Sequence, residues 1–325
     1  MAQTTKTGGG GAAAQPAKAA GKAASTGKIS VMTLAIMNVV AVVSLRGLPA
    51  EAEYGLGSIF YYVFAAIVFL IPVSLVAAEL AAGWPQKGGV YRWVGEAFGS
   101  RLGFLSIWLL WIESTIWFPT VLTFAAVSLA FIGPNQTWDQ AVSANKWYIL
   151  AICLIVYWGA TLVNFRGMKA GANLSKYGGM TGTIIPAAIL IIFGFAWLFM
   201  GRPSQMPLRA SDLFPDLTNI NNLVLASSIF LFYAGMEMSA VHVKDIDNPT
   251  VNYPKAIFLA SGITVVIFIL GTLAIGFVVP QKDINLTQSL LVAYDDFFKA
   301  FGMSFLSPII AVMLAIGVLA GVSTW

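Results

Sequence analysis

Apolar residues run in eight long stretches along the chain, near 31–55, 57–82, 103–132, 147–165, 178–201, 221–243, 256–280 and 304–325. Each is close to or above the roughly 20 residues that an α-helix needs to cross hydrocarbon. The pattern predicts an all-α polytopic membrane protein with eight spans. Between them lie segments rich in turn and charge signals: Pro85–Arg101, Gly133–Lys146, Arg166–Tyr177, Gly201–Asn221, Lys244–Pro254 and Pro280–Met303. Within the last, Leu286–Phe301 reads as a short amphipathic helix on the outer side, too polar at Asp295 and Asp296 to span. Residues 1–29 are Gly, Ala, Thr and Lys with almost no large apolar group, which predicts a disordered tail. It has no apolar core of a signal peptide before Ile29. The chain therefore divides into a tail, 1–29, and a transmembrane domain, 30–325.

Composition agrees with lipid as the solvent. Hydrophobic residues make up 58% of the chain, charged residues only 10%, and the mean hydropathy is +0.81. A soluble domain carries roughly 25% charged residues. The net charge of +4 does not point to nucleic acid, because the basic residues sit in short segments between apolar runs. Their distribution is lopsided. The tail and the linkers after spans two, four and six hold 12 Lys and Arg, against 5 in the alternate linkers. Lys and Arg concentrate on the cytoplasmic side, which predicts a cytoplasmic N-terminus in the cell (plasma or inner) membrane.

The chemistry of soluble enzymes is missing. Cys153 is the one cysteine and His242 the one histidine, so one chain can form neither a disulfide nor a histidine cluster. No HExxH, Walker or CxxC motif occurs and no nucleophile–base pair is readable. Neither an enzyme nor a cofactor or metal site is expected. Glu79 and His242 read as interfacial residues. Glu113, among Trp108, Trp111 and Trp117, reads either as a group that meets substrate or titrates, or as a carboxyl paired with another span.

Two spans look interrupted. Ile36–Tyr54 runs apolar to Ser44 and then meets Arg46, Gly47 and Pro49, which predicts an unwound stretch near Val42–Leu45 or simply a helix end. Ser227–Val243 has Gly235 at mid-span and Glu237 two residues later. An ionisable group at membrane depth marks function, although Glu237 could instead cap the second half-helix. Freed N–H groups at one half-helix attract a carboxylate and freed C=O groups an ammonium. Two facing breaks would hold a zwitterion, and breaks in spans one and six fit a five-helix inverted repeat.

The run WPQKGGVYRWVGEAFG, Trp84–Gly99, resembles the P-x-x-G-G-x-Y signature of the amino acid/polyamine/organocation (APC) transporters. Phe232–Ala256, FYAGMEMSAVHVKDIDNPTVNYPKA, resembles their sixth helix and following loop, and LVNFRGMKAGANLSKYG their fourth-to-fifth connection. LIPVSLVAAEL and MEMSAVHV resemble the glutamate/GABA antiporter branch. The resemblance implies a LeuT-type inverted-repeat fold of about twelve spans, with a first repeat near 31–201 and a partial second near 220–325. It implies an amino acid as substrate, carried by alternating access and often exchanged. It also implies that this chain, ending in GVLAGVSTW at Trp325, lacks about four spans. Carried over by position, Val43 and Ser44 receive the substrate carboxylate, and the carbonyls of Val40, Leu231 and Ala234 the ammonium. Trp111 is an aromatic gate with Glu113 two residues on, Glu237 is the sixth-helix acid, and Trp325 covers the substrate. Independently of the resemblance, a carboxyl buried at membrane depth can titrate, so Glu237 or Glu113 is expected to be the proton-sensing or gating acid. Arg46 departs from the family pattern, as does a first break without a glycine-rich run. A non-transporting sensor or a subunit of a membrane complex is the competing expectation, and a homodimer is left open.

Overall fold

The structure, a computed structural model, describes residues 29–84, 88–133, 135–215, 218 and 220–325. The predicted tail, apart from Ile29, and the side chain of His242 lie outside the described residues, as do Pro85 and Lys87 of the signature run. The helices follow in order: α1 (Val31–Val42), α2 (Leu48–Ala52), α3 (Gly57–Ala65), α4 (Ile71–Gly83), α5 (Gly89–Phe98), α6 (Ser100–Ala130), α7 (Gln136–Ser143), α8 (Lys146–Phe165), α9 (Met168–Gly179), α10 (Ile185–Phe199), α11 (Ile220–Tyr233), α12 (Pro249–Val278), α13 (Ser289–Ala300) and α14 (Ser307–Thr324). Among the described residues the only β pairing is a single bridge, Ile29 to Ile246.

Among the described residues, seven helical stretches are long and apolar enough to cross a membrane: Val31–Ala52, Gly57–Gly83, Ser100–Ala130, Lys146–Phe165, Asn173–Phe199, Pro249–Val278 and Ser304–Thr324. The eighth expected span, 221–243, is there in pieces. Its 14-residue α11 stops at Tyr233, and a 3-10 segment, Met238–Asp245, continues the path. The predicted amphipathic helix at Leu286–Phe301 forms as α13, with Leu290, Leu291, Tyr294, Phe297 and Phe298 buried on one face.

The expected linker at Arg166–Tyr177 is instead mostly helical, because α9 starts at Met168 and continues through a π turn, Met180–Ile184, into α10. Two glycines at its C-terminal end let α9 lie close to its neighbours. A Cβ on Gly178 would stand 2.9 Å from Ala320 Cβ of α14, and one on Gly179 would run into the Val40 side chain of α1. A second π turn, Ala66–Leu70, joins α3 to α4. Each π turn is followed two residues later by a proline, Pro72 or Pro186. Proline cannot donate to the residue four before it, and its ring needs the ladder widened there.

Helix α12 packs against α1, α2, α4 and α10, while α14 packs against α6, α8, α9 and the second π turn. Small residues make the closest crossing. A Cβ on Gly182 would run into the Gly317 nitrogen, and one on Gly317 into the Gly182 oxygen. In lipid, where apolar burial does not drive helices together, such backbone approach supplies much of the packing.

Gly182→Val should therefore lower the unfolding temperature in detergent, at a cost of about 1–3 kcal/mol or more, because no rotamer of a neighbour can relieve a clash with backbone. Gly262→Ala, in open space on α12, should be neutral or mildly stabilising. Equal unfolding temperatures for Gly182→Val and the parent protein would contradict the close crossing.

Candidate functional site

The first break lies where the sequence places it. Ser30 caps α1, accepting from the Thr33 N–H at 3.2 Å. The helix then passes through the β-branched run Val39, Val40, Val42 and Val43, which restricts side-chain rotamers in a helix, and stops at Val42. Val43 (φ −73°, ψ 109°) and Ser44 (φ −112°, ψ 103°) are extended. A 3-10 turn, Leu45–Gly47, leads into α2, with Pro49 in its first turn. Pro49 has no N–H to give the Leu45 carbonyl, so a regular ladder cannot run through this point. The extended pair leaves α1 carbonyls and the N–H groups at the start of the second piece without intrahelical partners.

The second break follows α11. Ala234–Glu237 form a turn in which Gly235 has φ +106°, a conformation that favours glycine. Ala234 N–H donates to Leu231 O at 3.2 Å, and Met238 N–H to Gly235 O at 3.1 Å. The two breaks face each other. A Cβ on Gly235 would stand 3.6 Å from Val42 Cγ2 and 3.2 Å from the Trp325 ring. The pieces beyond the breaks also touch. The Phe232 ring packs on the bare Cα of Gly47, and Ser228 Oγ donates to the buried Glu51 carboxylate at 2.5 Å.

Trp325 bridges the breaks. Its Nε1–H donates to Ala41 O at 3.0 Å, and its ring lies against Trp117 with centroids 4.9 Å apart. Beside its ring partner Trp117 lies a narrow cavity of about 30 Å³. Val40, Val43 and Ser44 of the first break line it, with Trp117 and Phe124 of α6 and the Gly182–Gly317 crossing. Trp325 itself lines a smaller cavity, of about 10 Å³, with Met37, Asn38, Ala41, Met238, Ser239 and Thr324.

The structure thus brings Val40, Val43 and Ser44 together and sets Trp325 at their edge. Ala234 and Leu231 belong to the second break. The Leu231 side chain is exposed, and its carbonyl already accepts from Ala234. Trp111 is not brought to the site. It is 57% exposed and packs on Trp108, at 5.0 Å between centroids. Six residues separate it from Trp117, which turns it about 120° around α6. The cavity-facing positions of α6 are Trp117, Val121 and Phe124, spaced by four and three. Glu113, one turn before Trp117, shares that side and is close enough to Glu237 for their charges to interact. Glu237 borders an otherwise apolar crevice between α4 and α5.

Sequence reading missed Asn38. It is 1% exposed on α1, one turn before the break, and neither its Nδ2 nor its Oδ1 has a hydrogen-bond partner among the described residues. A buried amide left unpaired costs about 1–3 kcal/mol. Its place in an apolar run was visible, but its lack of a partner depends on the helices around it. Among the described residues no group of His, Cys, Asp and Glu could hold a metal.

Comparison with known proteins agrees with this architecture. Residues 29–325 match the amino acid permease family. The chain is 42% identical over 298 residues to an uncharacterized transporter of Legionella pneumophila, covering 91% of this chain and 63% of that protein. It is 30% identical over 302 residues to a glutamate/gamma-aminobutyrate antiporter of Lactococcus lactis, covering 92% and 59%. A probable agmatine/putrescine antiporter of the same species is 22% identical, over 80% of this chain and 54% of its own length. The chain thus spans about three-fifths of the length of these first two relatives. A match that takes in both helix breaks and nearly the whole described chain makes this a multi-pass membrane protein of the amino acid permease family, within the APC superfamily.

Proposed function

We propose that this chain forms the substrate-binding part of a secondary amino acid transporter, working by alternating access as an exchanger with a glutamate/GABA-like range. The observation that carries the proposal is the pair of facing breaks, where freed N–H and C=O groups of two helices converge beside a cavity. Backbone dipoles of this kind match the carboxylate and ammonium that all amino acids share. The likeness to a glutamate/gamma-aminobutyrate antiporter supports the substrate range.

In this reading Val43 and Ser44 meet the carboxylate, and the Val40, Leu231 and Ala234 carbonyls meet the ammonium. Trp325 and Trp117 form the aromatic wall. Glu113 of α6 and Glu237 of the second break form the proton-responsive pair. Residues 31–201 make one repeat and 220–325 part of its inverted copy, each opening with a broken helix. The N-terminus is cytoplasmic, as the basic linkers favour. Ile29 N–H bonding to Asp245 O at 2.8 Å sets the start of α1 on the same side as the basic linker after the second broken span.

The test is counterflow in proteoliposomes made with the product of the complete open reading frame. Internal glutamate or GABA should drive uptake of labelled amino acid, and failure of every amino acid pair, or binding without flux, would contradict the exchanger reading. Glu237→Gln should flatten the pH dependence of exchange. An unchanged profile would remove Glu237 from the proton-responsive pair. Asn38→Leu deletes an unpaired buried amide and should raise thermal stability while slowing exchange, since polar groups kept at a stability cost serve function. Lower stability, or exchange at the parent rate, would make Asn38 a structural residue.

A further inference from the structure

Arg46 is the charge that the two breaks leave unexplained. It sits in the 3-10 turn between the first break and α2, within the stretch Val31–Ala52 that crosses the membrane. It is half-buried, its Nε is shielded from solvent, and among the described residues it has neither a hydrogen bond nor an ion pair. Glu51, the nearest acid along this piece that is buried, is taken by Ser228 of α11. A cation at membrane depth ordinarily pairs with another charge or with carbonyls. An unpaired guanidinium there is costly unless an anion visits it.

The surroundings give that anion room. Arg46 lines a cavity of about 330 Å³ with Pro119, Thr120, Thr123, Phe124 and Val127 of α6 and with Leu286 and Thr287 from the segment between α12 and α13. Thr120 Oγ1 donates to Trp117 O and Thr123 Oγ1 to Pro119 O, each at 2.7 Å. With those hydroxyl protons committed, the guanidinium is the main donor facing the space. The cavity adjoins the first break. Phe124 lines both spaces, and Ser44, two residues before Arg46, lines the one at the break. An amino acid entering from the α2 side would pass the guanidinium before reaching the freed backbone groups.

We propose that Arg46 forms a carboxylate-selective antechamber to the break, taking the side-chain carboxylate of an acidic amino acid on its way in. The inference rests on the exchanger reading and narrows its substrate class. A planar guanidinium can hold a carboxylate with two parallel hydrogen bonds, which an ammonium cannot do. Arginine at this position thus favours glutamate over its neutral isostere glutamine.

The experiment measures kcat/KM for external glutamate and glutamine in proteoliposomes, using the complete protein, Arg46→Gln and Arg46→Lys. Arg46→Gln should lower the glutamate-to-glutamine ratio about tenfold or more, the worth of a hydrogen bond to a charged group. Arg46→Lys should fall between the two. An unchanged ratio in Arg46→Gln overturns the assignment, and so does a parent protein that exchanges glutamine but not glutamate. A ratio that stays fixed while Arg46→Gln removes a chloride requirement assigns the guanidinium to an inorganic anion instead, and also overturns it. If the parent protein exchanges no amino acid at all, it is the transporter reading that fails.

Discussion

Hydrocarbon offers backbone groups no hydrogen-bond partner, and this one constraint governs the architecture. A helix crossing lipid may be interrupted only where protein or a water-lined cavity receives the freed groups. Both interruptions in this chain obey it. The first is surrounded by α6, the second π turn and α14, and one of its carbonyls, Ala41 O, is taken by the Trp325 indole. The second is covered by Trp325. Placed against each other, the breaks concentrate polar backbone in a largely apolar interior.

The rest of the fold keeps that arrangement in place. The Gly182–Gly317 crossing brings α14 against the π turn beside the first break, and Gly179 makes room for Val40. On the far side of the breaks, Phe232 on Gly47 and Ser228 on Glu51 tie α11 to α2. Behind them Tyr62, Tyr233 and Phe268 cluster, with the Tyr62 hydroxyl 3.0 Å from Thr272 Oγ1 of α12.

Much of this was legible in the order of residues. Apolar run lengths placed the spans, and the first break fell within the predicted Val42–Leu45 because Pro49 cannot complete a ladder. Gly235 marked the second, since its positive φ favours a residue without Cβ. What escaped was tertiary. Trp111 and Trp117 look alike in sequence, and only the rotation of α6 against its neighbours decides that Trp117 faces the cavity. The stretch GMKAGANLSKYGG, Gly167–Gly179, has the composition of a loop, yet it is helical because its small residues fit against α1 and α14. Asn38 and Arg46 were visible as polar residues, but their lack of partners is a property of the assembled bundle.

The central claim is that unpaired backbone at the breaks binds the amino acid zwitterion. Hydrogen–deuterium exchange resolved to the amides of 44–46 and 235–237, which donate to no backbone carbonyl, tests it most directly. The account predicts fast exchange there in the free protein and marked slowing at both breaks with a transported amino acid, but not with the matching amine that lacks the α-carboxylate. Exchange at these amides that is already slow without ligand, or that no amino acid alters, would contradict it.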